Sequence, residues 1–250
     1  MKQGVDGEAT KKGGGGLSLR RLAPLVAIAA AILLFFALGF DQYLSFEALK
    51  ENRHALLEWR DRNGITAVLI FIIGYIVAVA LSIPGAIWLT ISGGFLFGTV
   101  FGTLYAVVGA TIGAVLVFIA ARYALGDYLR SKAGPRVRKM EDGFRRNALS
   151  YLLFLRLTPV FPFWLVNLAS AFLGVRLNTF IIGTFFGIIP LSAVYASVGN
   201  GLGAVIDAGQ RPDLSILFDP AIIGPLIGLA ILALLPVAYK SIKAGYPKEQ

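Results

Sequence analysis

The chain has 250 residues, 57% of them hydrophobic and 15% charged, with a mean hydropathy of +0.75 and a formal net charge of +9. Four windows, 22–40, 64–121, 177–206 and 220–239, contain no charged residue, and each is long enough for at least one helix across a hydrocarbon core of about 30 Å. This excludes a soluble domain, and because the runs do not alternate apolar and polar residues, it also argues against a transmembrane β-barrel.

The chain has no cysteine, so disulfides and thiolate metal sites are unavailable. Its single histidine, His54, lies in a polar segment without partners spaced for a metal ion, and neither metal nor cofactor is expected. The basic residues flank apolar runs instead of lining a soluble face, so they read as topology signals and not as a nucleic-acid footprint.

Residues 1–21 carry Lys2, Lys11, Lys12, Arg20 and Arg21 against Asp6 and Glu8, with a four-glycine spacer, and read as a disordered basic cytoplasmic tail. Residues 22–40 form an N-terminal transmembrane helix, read as retained and not as a cleaved signal. The segment 41–63 sets Lys50, Arg53, Arg60 and Arg62 against Asp41, Glu47, Glu51, Glu58 and Asp61 and suits the external side. Between Arg122 and Arg146 basic residues dominate, so that stretch should face the cytoplasm; Val137, Met140 and Phe144 fall there at the spacing of a helix lying in the interface. Asp207, Asp213 and Asp219 place the loop 207–219 outside. Residues 220–239 form a C-terminal transmembrane helix, and Lys240, Lys243 and Lys248 return the tail 240–250 to the cytoplasm.

These sides impose parity on the core, 64–206: each of its two long windows must cross an odd number of times. One crossing plus a re-entrant hairpin fits both length and charge, with tips at Pro84–Gly85 and at Pro159–Pro162 and a return to the membrane face near Arg176 and Asn178. The first arm reaches deep, about 30 Å from Gly64 to Pro84 if helical, so it should start late, tilt or bend near Gly74. The windows begin on opposite sides and repeat the order hairpin then span. WLTISGGFLFG (88–98) and WLVNLASAFLG (164–174) echo one another. The expected fold is therefore an all-α polytopic membrane protein: an inverted repeat of re-entrant hairpin plus transmembrane helix, flanked by N- and C-terminal transmembrane helices.

Arg156 falls about 13 Å into the second hairpin, and neither core window contains a carboxylate to pair with it. A charge at that depth must face protein, water or an anionic partner. Two readings stand: Arg156 binds an anion, or it caps carbonyls freed by Pro159 and Pro162. Pro84, Pro159 and Pro162 break helices where a polar cavity would lie, or mark kinks filled by neighbours. Asn167 bonds either a headgroup or a neighbouring helix. Arg156, Pro159, Pro162, Asn167 and Pro84 are thus the candidate substrate-binding residues. Gly98, Gly102, Gly109, Gly113, Gly183 and Gly187 form small-xxx-small pairs expected to serve helix packing.

With SGGFLFGTVFGTLYAVVGATIGA (92–114), Arg122 followed by Gly126, FLRLTPVFP (154–162), Asn167, Gly174, FGIIP (186–190) and Gly199, the chain resembles the DedA superfamily in its VTT-domain branch, also called the SNARE-associated Golgi protein family. The resemblance covers roughly 65–204. It implies paired re-entrant hairpins facing each other and movement of phospholipids or polyprenyl phosphate carriers between leaflets. The better-studied bacterial members carry acidic residues near the first hairpin, associated with proton coupling; here residues 82–88 read SIPGAIW, and of the charged set Arg156 alone carries over.

The function expected is transport or scrambling of an anionic-headgroup lipid, a phospholipid or a polyprenyl phosphate. Alternatives are a non-transporting assembly or scaffold protein and a membrane lipid phosphatase. The phosphatase is disfavoured because the core windows lack Asp, Glu, Cys and His, so the protein is not expected to be an enzyme. The partners implied are anionic membrane lipids, with no nucleic acid and with homo-oligomer formation left open. A bacterial plasma membrane, with both termini cytoplasmic, is the expected location.

Overall fold

A computed structural model of the protein describes residues 46–83, 85–132, 147–207 and 220–244, with scattered positions between 26 and 39. Outside the described residues lie the N-terminal tail, most of 22–40, Pro84, the amphipathic stretch with Val137, Met140 and Phe144, the loop 208–219 and residues 245–250.

Two short polar helices, α1 (Phe46–Glu51) and α2 (Arg53–Asn63), lead to Gly64, where the chain turns by 115° into α3 (Ile65–Ala80). Every residue of α3 is uncharged, and its 16 residues extend about 24 Å. The helix passes Gly74 unbroken, so the long first arm expected from the sequence is continuous rather than bent there. Around the tip, Ser82 and Gly85 take positive φ values of 52° and 100°.

The next helix, α4 (Ala86–Lys132), is interrupted at Gly98, whose φ of 76° and ψ of 171° belong to a region open essentially to glycine alone. Residues 86–97 are thus a second arm of about 18 Å, too short to cross a core of about 30 Å, and the span proper begins at residue 99. The helix continues to Lys132, so Arg122, Arg130 and Lys132 lie on it and not in the expected loop; no proline interrupts the chain before Pro135.

The second repeat has the same order. Helices α5 (Ala148–Leu157) and α6 (Phe163–Phe172) are 10 residues each, about 15 Å, and meet at a tip containing both prolines. Thr158 is extended (φ −91°, ψ 109°), as the residue before a proline is required to be. Gly174 (φ 67°) then turns the chain into α7 (Leu177–Asp207), and α8 (Pro220–Ala244) packs on α5 and buries Leu226 and Ala230, with an apolar segment from Ile222 to Val237. Among the described residues two helices, α4 and α7, are long and apolar enough to cross a membrane. The echoing segments 88–98 and 164–174 are both second arms, and both end on a glycine with positive φ.

Small residues set the packing. A methyl group on Gly109 or Gly113 would lie 2.8 Å from Tyr75 Cβ or 2.7 Å from Val79 Cβ, and one on Gly183 or Gly187 would lie 2.7 Å from Leu152 Cδ2 or Arg156 Cβ. Each first arm is therefore seated on its own repeat's span. The second arms cross over: Gly94 approaches the Ala196 carbonyl of α7 and Gly199 that of Ile91, each so closely that a Cβ would sit 1.9 Å from the oxygen, while α6 packs on α4. Gly102 lies against the Gly93 carbonyl. Gly98 differs from the packing role expected for it: its nearest neighbour would be Asn200 Oδ1 at 3.8 Å, and the residue is a hinge because its φ requires glycine. The resulting core is alanine-rich, with Ala106, Ala110, Ala114 and Ala121 around Phe118 and Phe180, which stack at 4.5 Å. Outward faces expose Ile65, Ile73, Val100, Phe101, Ile182 and Phe186, as lipid contact demands.

Candidate functional site

Arg156 sits in the last turn of α5, beside the second hairpin tip, and is only 5% exposed. Its Nη2 donates to Asn167 Oδ1 at 2.5 Å and to Thr184 Oγ1 at 3.1 Å, and Nη1 donates to the Phe163 carbonyl at 3.3 Å. The guanidinium lies over the Phe163 ring, 4.1 Å from its centroid, with Phe180 at 5.7 Å. Each of these partners is neutral. Of the hydrogen-bond acceptors, one is a backbone carbonyl and the other two are side-chain oxygens. Among the described residues Nε has no partner, which leaves one donor of a buried cation unused.

Asn167 is fully buried on α6, and its Nδ2 is likewise without an acceptor among the described residues. The amide orientation is fixed chemically, because a guanidinium only donates and Oδ1 must face it. Ser170 Oγ, one turn further along α6, and Thr111 Oγ1 on α4 are also buried without partners there. Orphaned polar groups are rare in folded proteins and mark places where water or a ligand belongs.

Arg156 lines a cavity of about 220 Å³ between the repeats. At about 30 Å³ per water in the liquid, that is room for roughly seven waters, enough for a phosphate group and part of its substituent. Tyr75 and Val79 of α3, Thr90 of the first repeat's second arm, and Ser192 and Tyr195 of α7 complete the polar and apolar walls. Tyr75 and Thr90 share a hydrogen bond of 2.8 Å between their hydroxyls. A second cavity of about 390 Å³ lies between the first tip and α6, sharing Val79, Ile87 and Phe163 with the first and reaching Asn167. Pro159 lines the first cavity and is exposed, whereas Pro162 shapes the tip as the residue preceding α6. Pro84 lies outside the described residues.

Arg156 and Asn167 are thus brought together directly. Sequence reasoning missed Thr184, Phe163, Tyr75 and Thr90; the available signal was a polar or aromatic residue one turn from a packing glycine, as Thr184 is from Gly187. It also missed two arginines that bond the arm-to-span elbows. Arg60 Nη1 donates to the Leu96 carbonyl at 2.5 Å while also pairing with Asp61, and Arg122 Nη1 donates to the Val175 carbonyl at 3.1 Å.

Comparison with known proteins adds a family. The family model described as the VTT domain matches residues 83–201. Transmembrane protein 41 homolog of Caenorhabditis elegans is 30% identical over 199 residues, 78% of this chain and 78% of the relative. The Dictyostelium discoideum homolog is 31% identical over 195 residues, 77% of this chain and 57% of the relative, and Transmembrane protein 41B of Gallus gallus is 28% identical over 252 residues, 94% and 91% respectively. No solved structure matches the chain.

Proposed function

We propose that this chain, which belongs to the VTT-domain family within the DedA superfamily, moves lipids with an anionic headgroup, phospholipid or polyprenyl phosphate, between membrane leaflets. The observation that carries this reading is Arg156: a buried cation whose Nε has no partner among the described residues, in the wall of a 220 Å³ cavity between two broken helices. No carboxylate occurs in 64–121 or 147–206 to neutralise it. A charge in that setting costs several kcal/mol unless it is compensated, and a phosphate entering the cavity supplies the compensation. The exposed apolar faces leave lipid tails in the bilayer while the headgroup crosses.

Transport then needs no chemistry from the protein. The core windows carry no Asp, Glu, Cys or His to act as nucleophile or general base, which supports a carrier in preference to an enzyme. The basic flanks of the apolar runs support cytoplasmic termini, and a bacterial plasma membrane is the location we favour.

The test is leaflet exchange of tail-labelled fluorescent phospholipids in proteoliposomes, wild type beside a folded Arg156→Ala variant, repeated with a polyprenyl phosphate. Exchange in the wild type and its loss in the variant are expected. Equal exchange in both would remove Arg156 from the path, and absence of exchange for both lipid classes in the wild type would overturn the proposal.

A further inference from the structure

The second cavity differs in chemistry from the first. Among the described residues no charged side chain lines it; its walls are Ile83, Gly85, Trp164 and the shared apolar residues, with the Ser82 hydroxyl and the Asn167 amide as polar groups. Asn167 spends its oxygen on Arg156, so Nδ2 is the group left over, fully buried and without an acceptor among the described residues. What would satisfy it is a neutral acceptor oxygen in an apolar setting, because a second anion here would find no cation of its own. The two cavities are adjacent, with Val79, Ile87 and Phe163 lining both, and Trp164 at the wall of the second is 48% exposed, which puts that cavity at the molecule's apolar exterior.

Resting on the reading that Arg156 holds a phosphate, we propose that this second cavity takes the glycerol-ester carbonyl of a diacyl phospholipid, with Asn167 Nδ2 donating to the carbonyl oxygen. One ligand then spans both cavities: phosphate on the guanidinium, ester in the neutral chamber a few bonds away, acyl chains leaving past Trp164. Asn167 couples the two, since the same side chain orients Arg156 and reads the ester. The site thereby distinguishes diacyl phospholipids from lipids that carry a phosphate but no ester carbonyl, such as diether phospholipids and polyprenyl phosphates.

The test compares two tail-labelled phosphatidylglycerols, identical except that one is a diester and the other a diether, in phosphatidylcholine vesicles containing the full-length protein. The diester should exchange roughly five- to tenfold faster, the worth of about one hydrogen bond. Asn167→Met removes the donor without placing a charge beside Arg156, and its thioether keeps a weak acceptor, so the diester-to-diether ratio should fall to about one whatever happens to the absolute rates. If that variant moves neither lipid, the ratio is read instead from thermal stabilisation of the detergent-solubilised protein by short-chain diester and diether phosphatidylglycerol. Equal rates in the wild type, or a preference that survives Asn167→Met, would overturn the ester site and leave the role of Arg156 standing. Exchange of neither lipid by the wild type would overturn both.

Discussion

Replacing Gly187 by alanine tests whether the close seat of α5 on α7 is what positions Arg156. The new methyl group would meet Arg156 Cβ at 2.7 Å and Cγ at 3.1 Å, whereas carbon atoms in ordinary contact lie about 3.5–4.0 Å apart. The helices must then separate by about 1 Å. Overpacking of this kind costs about 1–3 kcal/mol, offset by up to about 1 kcal/mol of improved helix propensity, for a net loss of about 1–2 kcal/mol. In a chain of this length that corresponds to a Tm lower by roughly 2–8 °C. The functional effect should exceed the stability effect. A shift of about 1 Å carries the Nη2 to Thr184 bond, now 3.1 Å, beyond the hydrogen-bonding limit, and exchange should fall about tenfold. Gly201, where an added methyl group would have no atom within 4 Å, is the control: Gly201→Ala should match or exceed wild-type Tm and exchange normally. Thermal unfolding in detergent and leaflet exchange measure both quantities. Wild-type Tm and wild-type exchange in Gly187→Ala would refute the idea that this contact holds the arginine.

Three further outcomes are expected. Gly98→Ala forces a side chain into φ 76°, ψ 171° and should cost about 1–3 kcal/mol, read as a lower Tm with no change in the preference among lipids. Arg122→Met removes the donor to the Val175 carbonyl and should cost about 1 kcal/mol, visible as faster amide exchange confined to the elbow around 173–176. Thr184→Val keeps the volume but removes one acceptor of Arg156; the protein should fold, with leaflet exchange reduced several-fold.

Charge counts and proline positions made the architecture legible, because lipid leaves few ways to satisfy a broken backbone and positive flanks report topology. The second tip, between α5 and α6, and the return near Arg176 occur where those signals fell. The site was legible in its charge: a lone arginine among apolar residues needs no contacts to be noticed. Of its cradle Asn167 was legible and Thr184 and Phe163 were not, because they reach Arg156 across separations of 28 and 7 residues, and threonine and phenylalanine are ordinary in membrane helices. Gly98 shows the converse limit. Its spacing to Gly102 is that of a packing pair, and only the backbone torsion reveals a hinge. Arg60 and Arg122 were absorbed into the charge tally of loops, since sequence alone does not say which basic residue turns back toward a carbonyl.

The repeats are similar in backbone and unlike in charge, and that difference bears on how Arg156 stays available. Gly109 and Gly113 seat Tyr75 and Val79 just as Gly183 and Gly187 seat Leu152 and Arg156, so Val79 holds in the first repeat the place that Arg156 holds in the second. Both line the same cavity. With valine there, the partners that hold Arg156 among the described residues are all neutral, and charge-assisted bonds to a phosphate, roughly twice as strong, displace them readily. A carboxylate at that place would change the competition: it would pair with the guanidinium permanently and make the headgroup redundant. Val79→Asp should therefore give a folded protein in which Arg156 is already neutralised, with leaflet exchange of anionic lipids suppressed at least about tenfold and its dependence on Arg156 abolished. Restoring the geometry without the charge, by Val79→Asn, should recover most of the exchange. Wild-type exchange in Val79→Asp would mean that the headgroup does not compete for this arginine.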